Sequence, residues 1–320
     1  MNQKTKITIL LSLLSLFFGE IISGSTPPLD FTDPLLFLFF WSLYGSGVLL
    51  MRELWVRWGQ EYSQLMVLGI LYGIIKEGIA SKSFFNLAWV DLDSILSIGM
   101  SVGVTFAWVI WLSIFHAVFS ITLPILLIHT IYPECKEKPF FSDAGLKGVL
   151  IIFLSVVVII FFFLSPSIPP ILPYIVTLGV TVYLVKKAKE GITLKKPFIV
   201  PYLKQNPMIF GITFTFTMFF LFFLFPNSIL GVTFPIILVI FFLLNFYERL
   251  EDYSRLQQFR LVIGLLLPLL LFFDVLMGVR GSIGLALTGI LTFIVLIRQY
   301  LKEFASEQHE NRGNVSKTSG

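Results

Sequence analysis

Long apolar stretches separated by short polar segments dominate the hydrophobic pattern of this chain. A bilayer core about 30 Å thick needs about 20 mostly apolar residues per helix, and ten stretches meet that need. They are continuous rather than alternating, which argues against the strands of a membrane barrel. The pattern predicts one all-α transmembrane domain over residues 1–302, a polytopic helical bundle of about ten helices. The predicted spans are roughly 7–23, 34–51, 64–80, 103–131, 147–165, 168–185, 208–225, 228–247, 260–277 and 282–300.

The basic residues segregate to one side of this arrangement. With the N-terminus in the cytoplasm, twenty of the 23 Lys and Arg residues fall on the cytoplasmic side, as the positive-inside rule requires. Only Lys82 and Arg280 fall in outer loops, and Lys76 falls within a span. We therefore predict that both termini are cytoplasmic and that residues 303–320 form a disordered cytoplasmic tail. One alternative stays open, because residues 1–25 also fit a cleaved signal peptide.

Composition narrows the class of protein further. The chain is 56% hydrophobic and only 13% charged, with a mean hydropathy of +0.89, whereas a soluble chain carries about 25% charged residues. A soluble enzyme, a disordered chain and a nucleic-acid-binding domain are therefore excluded. Basic cytoplasmic loops facing anionic lipid account for the net charge of +4. The expected surroundings are the lipid bilayer of a prokaryotic plasma membrane, with a small-molecule, ion or lipid substrate and no nucleic-acid partner.

Motifs for cofactor and metal chemistry are absent from the sequence. It contains no Gly-rich phosphate loop, no HExxH and no GxSxG. Its single cysteine, Cys135, can form neither an intramolecular disulfide nor a Cys-based zinc or iron–sulfur site. We therefore expect no cofactor and no metal.

Ionisable residues within the predicted spans are the main functional signal, because each costs at least about 2.5–3.5 kcal/mol to insert. Lys76 and Glu77 lie near the outer end of the third span. Gly69 and Gly73 precede Glu77 at spacings of four, so small residues on this face let another helix approach closely. Adjacent side chains diverge by about 100° around a helix. Two interpretations remain: Lys76 extends to the outer surface while Glu77 accepts structural hydrogen bonds, or Glu77 belongs to a substrate or ion site.

The fourth span carries a second candidate group. His116 lies near its middle, in a stripe with Ser113, Ser120 and Pro124 at spacings of three, four and four. A neutral imidazole can both donate and accept a proton. His116 is therefore a candidate acid–base residue together with Glu77, the alternative being a packed histidine that makes an interhelical hydrogen bond.

Further polar residues complete the candidate set. Glu20 lies at the outer end of the first span, and Asp274 and Arg280 are close enough in sequence to pair across the end of the ninth. If spans one, three, four and nine are neighbours, these groups line a water-filled vestibule open to the outside. The segment 82–97 is expected to form a surface helix or a lid above it. The candidate substrate- or ion-binding residues are Glu20, Lys76, Glu77, His116, Asp274 and Arg280.

Two short motifs resemble a known family. Lys76-Glu77-Gly78 followed by Phe115-His116 in the next span looks like part of the intramembrane CAAX-processing protease pattern. That family has a Glu-Glu pair, a Phe-x-x-x-His motif and a later helix with His and Asn. Here the second glutamate is missing, Phe115 adjoins His116, and no later span contains histidine. The resemblance covers about 40 residues and implies acid–base activation of water.

Three functions are compatible with these features. The first is a transporter or permease with an outward-facing polar vestibule, in which Glu77 and His116 bind substrate or relay protons. The second is an intramembrane enzyme that uses the same pair as acid and base on a lipid or lipidated substrate. The third is a non-catalytic scaffold or assembly factor.

Overall fold

The computed structural model describes residues 1–86, 100–101, 103–165, 167–192, 205–220 and 228–318. It confirms the predicted all-α membrane bundle: within these ranges, eight helices have the length and hydropathy to cross a membrane. The regular β-structure of the described chain is one antiparallel pair, Met100–Ser101 with Val104–Thr105.

Ten main helices make up the described bundle, and each predicted span overlaps one of them. They are α1 (Gln3–Leu16, continued by a π-helical turn Phe17–Ile21), α2 (Pro34–Trp58), α3 (Tyr62–Ala80), α4 (Phe106–Ile131), α5 (Asp143–Leu164), α6 (Ile171–Glu190), α7 (Pro207–Phe220), α8 (Ile229–Leu250), α9 (Arg255–Val279) and α10 (Ile283–Thr318).

Several helices end beyond their predicted spans. Helix α2 ends at Trp58 and α6 at Glu190, past the predicted ends at residues 51 and 185. Helix α7 is described to Phe220, so the last residues of the predicted span 208–225 lie outside the described residues. Helix α10 is described to Thr318, past the predicted span 282–300, and the disordered tail at residues 303–320 stays a prediction.

Helices α3 and α4 form the centre of the bundle. In the most apolar 18-residue stretch of each helix, 78% of the residues are buried in α3 and 83% in α4, compared with 6% in the peripheral helix α6. The two central helices approach closely, as the small-residue pattern predicts: a Cβ added to Gly69 would lie 2.6 Å from the Cα of Ala117. One added to Gly73 would lie 3.0 Å from the Cα of Ser113. This contact brings Glu77 of α3 beside His116 of α4.

We expect Gly69→Leu to separate α3 from α4 and to lower the free energy of unfolding by at least about 2 kcal/mol. The added side chain meets backbone, which cannot move aside as a flexible side chain can. Thermal unfolding in detergent measures the change. Gly179→Leu is the matched control, because nothing lies within 4 Å of a Cβ at that position. Equal unfolding temperatures for the two variants would contradict the close packing.

The end of the bundle that the basic residues predict to be cytoplasmic contains a buried ion pair. Arg52 and Glu53 are completely buried, and their side chains meet at 2.8 Å. Glu53 also accepts from the backbone N–H groups of Phe140 and Phe141, while Arg52 donates to the carbonyl oxygen of Cys135. Neither residue is among the candidate site residues predicted from the sequence. In the fold they connect α2 to the segment between α4 and α5.

Five π-helical turns lie within or at the ends of the α-helices of the described chain. A π turn contains an extra residue and rotates the side chains that follow it, and such turns are frequent at functional sites. Each of the five contributes at least one residue to the wall of a single cavity. They are Phe17–Ile21, Ile74–Ala80, His116–Thr122, Ile160–Leu164 and Pro268–Phe273.

Candidate functional site

A cavity of about 490 Å³ lies in the half of the bundle away from the N-terminus. It reaches His116, about 15 Å along α4 from Phe106 at 1.5 Å per residue, or roughly half the depth of a bilayer core. Its polar residues cluster around Glu20, Lys76, Glu77 and His116, and the rest of its wall is mainly apolar. The aromatic residues of the wall are Phe39, Phe40, Trp108, Trp111, Phe115, Phe219, Phe220 and Phe273.

Among the described residues of the cavity, the Glu77 carboxylate accepts the most hydrogen bonds. Its Oε1 accepts from Lys76 Nζ at 2.7 Å and contacts His116 Nε2 at 3.0 Å. Its Oε2 accepts from the hydroxyls of Ser81 at 2.9 Å and Ser83 at 2.8 Å. Four donors therefore hold a carboxylate that is only 5% exposed, which offsets much of the cost of burying its charge.

His116 extends this network into the core. Because an ionised carboxylate only accepts hydrogen bonds, Nε2 carries the hydrogen that faces Glu77. The other ring nitrogen, Nδ1, lies 2.8 Å from Ser120 Oγ. Tyr44, Tyr72 and Phe115 surround the ring, with centroids 6.3, 5.6 and 5.1 Å from it. The imidazole thus connects the cavity to a dry region of the bundle.

Lys76 also lines the cavity, with a side chain 15% exposed. Its Nζ lies 5.1 Å from the centroid of the Tyr44 ring, within the range of a cation–π contact. Adjacent residues of a helix diverge, but the long side chain of Lys76 still reaches Glu77 Oε1 at 2.7 Å. Lys76 therefore pairs with Glu77 inside the bundle.

Glu20 forms a second polar cluster in the cavity wall. Its Oε2 accepts from the Tyr44 hydroxyl and its Oε1 from the Thr26 hydroxyl, both at 2.6 Å. Gly19 makes this geometry possible, because a Cβ there would lie 2.5 Å from Cε1 of Tyr44. Tyr44 consequently lies between the two carboxylates: its hydroxyl binds Glu20 and its ring faces Lys76, the partner of Glu77.

The structure separates Asp274 and Arg280 from this cavity. Neither residue lines it, and no ion pair joins them within the described ranges. Asp274 is fully buried, and its carboxylate oxygens have no hydrogen-bond partner in the described chain. A Cβ added to Gly289 of α10 would lie 2.6 Å from Asp274 Oδ2. From the same region Phe273, not Asp274, lines the cavity.

Lys82 does not line the cavity but contacts α5. Lys82 donates to the carbonyl oxygen of Phe161 at 2.9 Å and lies 4.1 Å from that residue's ring centroid. Burial lowers the pKa of Lys82. This lysine therefore fastens the end of α3 to α5. The predicted surface helix or lid falls largely on residues 87–99, outside the described residues.

Four residues that donate hydrogen bonds to Glu20 or Glu77 are not predicted from the sequence: Tyr44, Ser81, Ser83 and Thr26. A signal existed for Ser81, which follows Glu77 by four residues, the spacing of neighbours on a helix. Nothing in the sequence pattern points to Tyr44, because its contact with Glu20 joins two helices through a close approach at Gly19. The aromatic wall likewise comes from helices far apart in the chain.

The charges of the described cavity do not cancel. Lys76 provides one positive charge, whereas Glu20 and Glu77 provide two negative charges when ionised. With His116 neutral, these side chains leave one net negative charge, and protonation of His116 brings the sum to zero. Ser120 can donate to Nδ1 or, after rotation of its hydroxyl, accept from it. The network therefore accommodates either protonation state of His116 without losing a hydrogen bond.

Comparison with known proteins gives one match. A model of an uncharacterized membrane protein family matches residues 9–308, which is nearly the whole chain. No curated protein and no solved structure matches it. The matched region contains all the residues that line the cavity.

Proposed function

The chain belongs to an uncharacterized membrane protein family, and from this premise we propose that it is a proton-coupled permease of the prokaryotic plasma membrane. The observation that carries the proposal is the hydrogen-bonded series Lys76–Glu77–His116–Ser120 at the deep end of the cavity. A cavity of about 490 Å³ is within the range of small-molecule sites. The positions of the basic residues predict that the cavity opens to the outside of the membrane.

In this proposal, His116 is the proton acceptor and Glu77 holds its ring and balances the charge of Lys76. Ser120 switches between donor and acceptor as His116 gains or loses its proton. The rings of Tyr44, Tyr72 and Phe115 limit access of water to the imidazole. Proton binding changes the net charge of the cavity and hence its affinity for a charged solute. This change couples proton binding to solute binding.

The test is substrate-driven proton movement in liposomes. Purified protein is reconstituted with the pH-sensitive dye pyranine inside, and organic cations, anions and neutral solutes are added in turn. We expect at least one class to change the internal pH, and the change to be absent from empty liposomes. If no class moves protons, the permease is contradicted.

One geometric observation favours a second function, an intramembrane hydrolase. The imidazole of His116 lies 3.0 Å from Glu77 Oε1 on one side and 2.8 Å from Ser120 Oγ on the other. A carboxylate, an imidazole and a hydroxyl in this order are also found in enzymes that activate a nucleophile. Ser120 is completely buried, so water would be the nucleophile in such an enzyme, with Glu77 as its base and the Nε2–H of His116 as the proton donor. Hydrolysis of a lipid ester by the same liposomes, lost in His116→Ala and without proton movement on solute addition, would favour this function over transport.

A further inference from the structure

Glu20 and Glu77 differ in the charge of their partners. Glu77 is paired with the ammonium of Lys76 and with His116. The hydrogen bonds that Glu20 accepts from side chains in the described chain come from two neutral hydroxyls, those of Tyr44 and Thr26. An ionised carboxylate offers about four acceptor positions, so Glu20 keeps acceptor capacity. Among the described residues, it is the negative charge of the cavity that no ion pair balances.

Aromatic rings surround the cavity near this carboxylate. Phe40 stacks on Tyr44 with ring centroids 6.5 Å apart. Phe273 packs close to the chain after Glu20, since a Cβ on Gly24 would lie 2.9 Å from its Cε1. The faces of aromatic rings attract cations, most strongly where water is excluded. A carboxylate beside several rings is the chemistry that recognises an organic ammonium or phosphonium group.

We propose that the substrate is an amphipathic organic cation, whose charged head lies against Glu20 and whose apolar body fills the aromatic cavity. This assignment rests on the proposed permease and adds the class of its substrate. The cation supplies the one positive charge that the described cavity lacks when His116 is neutral. Ordinary inorganic cations fit less well, because the wall is mostly apolar and supplies few oxygen ligands to replace their water.

The experiment uses three probes of similar shape and different charge: tetraphenylphosphonium, tetraphenylborate and neutral triphenylphosphine oxide. Equilibrium dialysis of radiolabelled tetraphenylphosphonium against the full-length protein in detergent measures affinity, and the other two serve as competitors. We expect the phosphonium to bind and the borate and the neutral oxide to compete at least tenfold less well. Binding in Glu20→Gln should be at least tenfold weaker, and Glu20→Asp should recover part of the loss.

Asp274→Asn is the matched control, because Asp274 is a buried carboxylate that does not line the cavity. Its phosphonium affinity should equal that of the unaltered protein. The unfolding temperature of each variant shows whether its loss of phosphonium affinity reflects misfolding. If Glu20→Gln is misfolded, the affinity of Glu20→Asp, which keeps the carboxylate, tests the proposal instead. Absence of phosphonium binding, tighter binding of the borate, or equal binding in Glu20→Gln would overturn the proposal.

The binding and flux experiments distinguish a wrong substrate class from a wrong transport function. Glu20-dependent binding without proton movement would support the substrate class and contradict transport. Proton movement driven by an anionic or neutral solute, with no phosphonium binding, would support transport and contradict the cation.

Discussion

Glu77→Gln is expected to abolish substrate-driven proton movement while the protein still folds. The glutamine amide has one acceptor oxygen, whereas Glu77 receives donors from Lys76, His116, Ser81 and Ser83. Its NH₂ group would face two of these donors without a bond. The cavity also loses the negative charge beside Lys76. We expect proton flux to fall at least tenfold and the free energy of unfolding to fall by about 3 kcal/mol, as for a broken buried ion pair.

A double variant separates these two effects. Lys76→Met combined with Glu77→Gln removes the cation together with its partner, so much of the lost stability should return. Proton flux should remain absent, because His116 still lacks the carboxylate that orients it. Pyranine flux and thermal unfolding measured on the same preparations report the two quantities. Normal flux in the double variant would remove Glu77 from the transport mechanism.

Glu53→Gln is expected to have the largest effect on stability. Glu53 and Arg52 are both completely buried, so neutralising one leaves the other charge inside the protein. Glu53 also receives the backbone N–H of Phe140 at 2.6 Å and that of Phe141 at 3.3 Å. Breaking such a buried pair costs about 3–5 kcal/mol. Denaturation in detergent should show this loss, whereas proton flux per folded molecule should stay unchanged.

Glu134→Gln is the control for this prediction. Glu134 lies in the same segment between α4 and α5 but is exposed, with one hydrogen bond from Gln3. Surface changes of this kind usually alter stability by no more than about 0.5 kcal/mol. If the two variants unfold alike, the buried pair at Glu53 is not what fastens this segment.

Much of the fold is predictable from the chain because the bilayer imposes a length on every helix. The predicted spans 34–51, 64–80 and 103–131 fall on α2, α3 and α4, which start or end within a few residues of them. Local chemistry marks some ends: Asp33 accepts from Leu35 N at 2.8 Å at the start of α2, and Gly59 ends that helix with a φ of 137°. Both signals are visible in the sequence.

The candidate site is predictable only in part. Depth along a helix can be counted from the sequence, and it places Glu20 and Glu77 in the outer half of the bundle and His116 near mid-depth. Direction around the helix cannot be counted in the same way, because each π-helical turn changes the periodicity. Lys76, Glu77 and Phe273 all lie in such turns and line the cavity, whereas Asp274 does not line it.

The sequence by itself determines the class of this protein, its helices and the residues that are costly to bury, since all three depend on composition and local periodicity. Only the tertiary structure decides which of those residues meet. The contact of Gly69 with Ala117 brings Glu77 to His116, and the close approach at Gly19 brings Glu20 to Tyr44. Contacts between distant segments depend on how surfaces fit, and that fit is a property of the packed bundle rather than of any one helix.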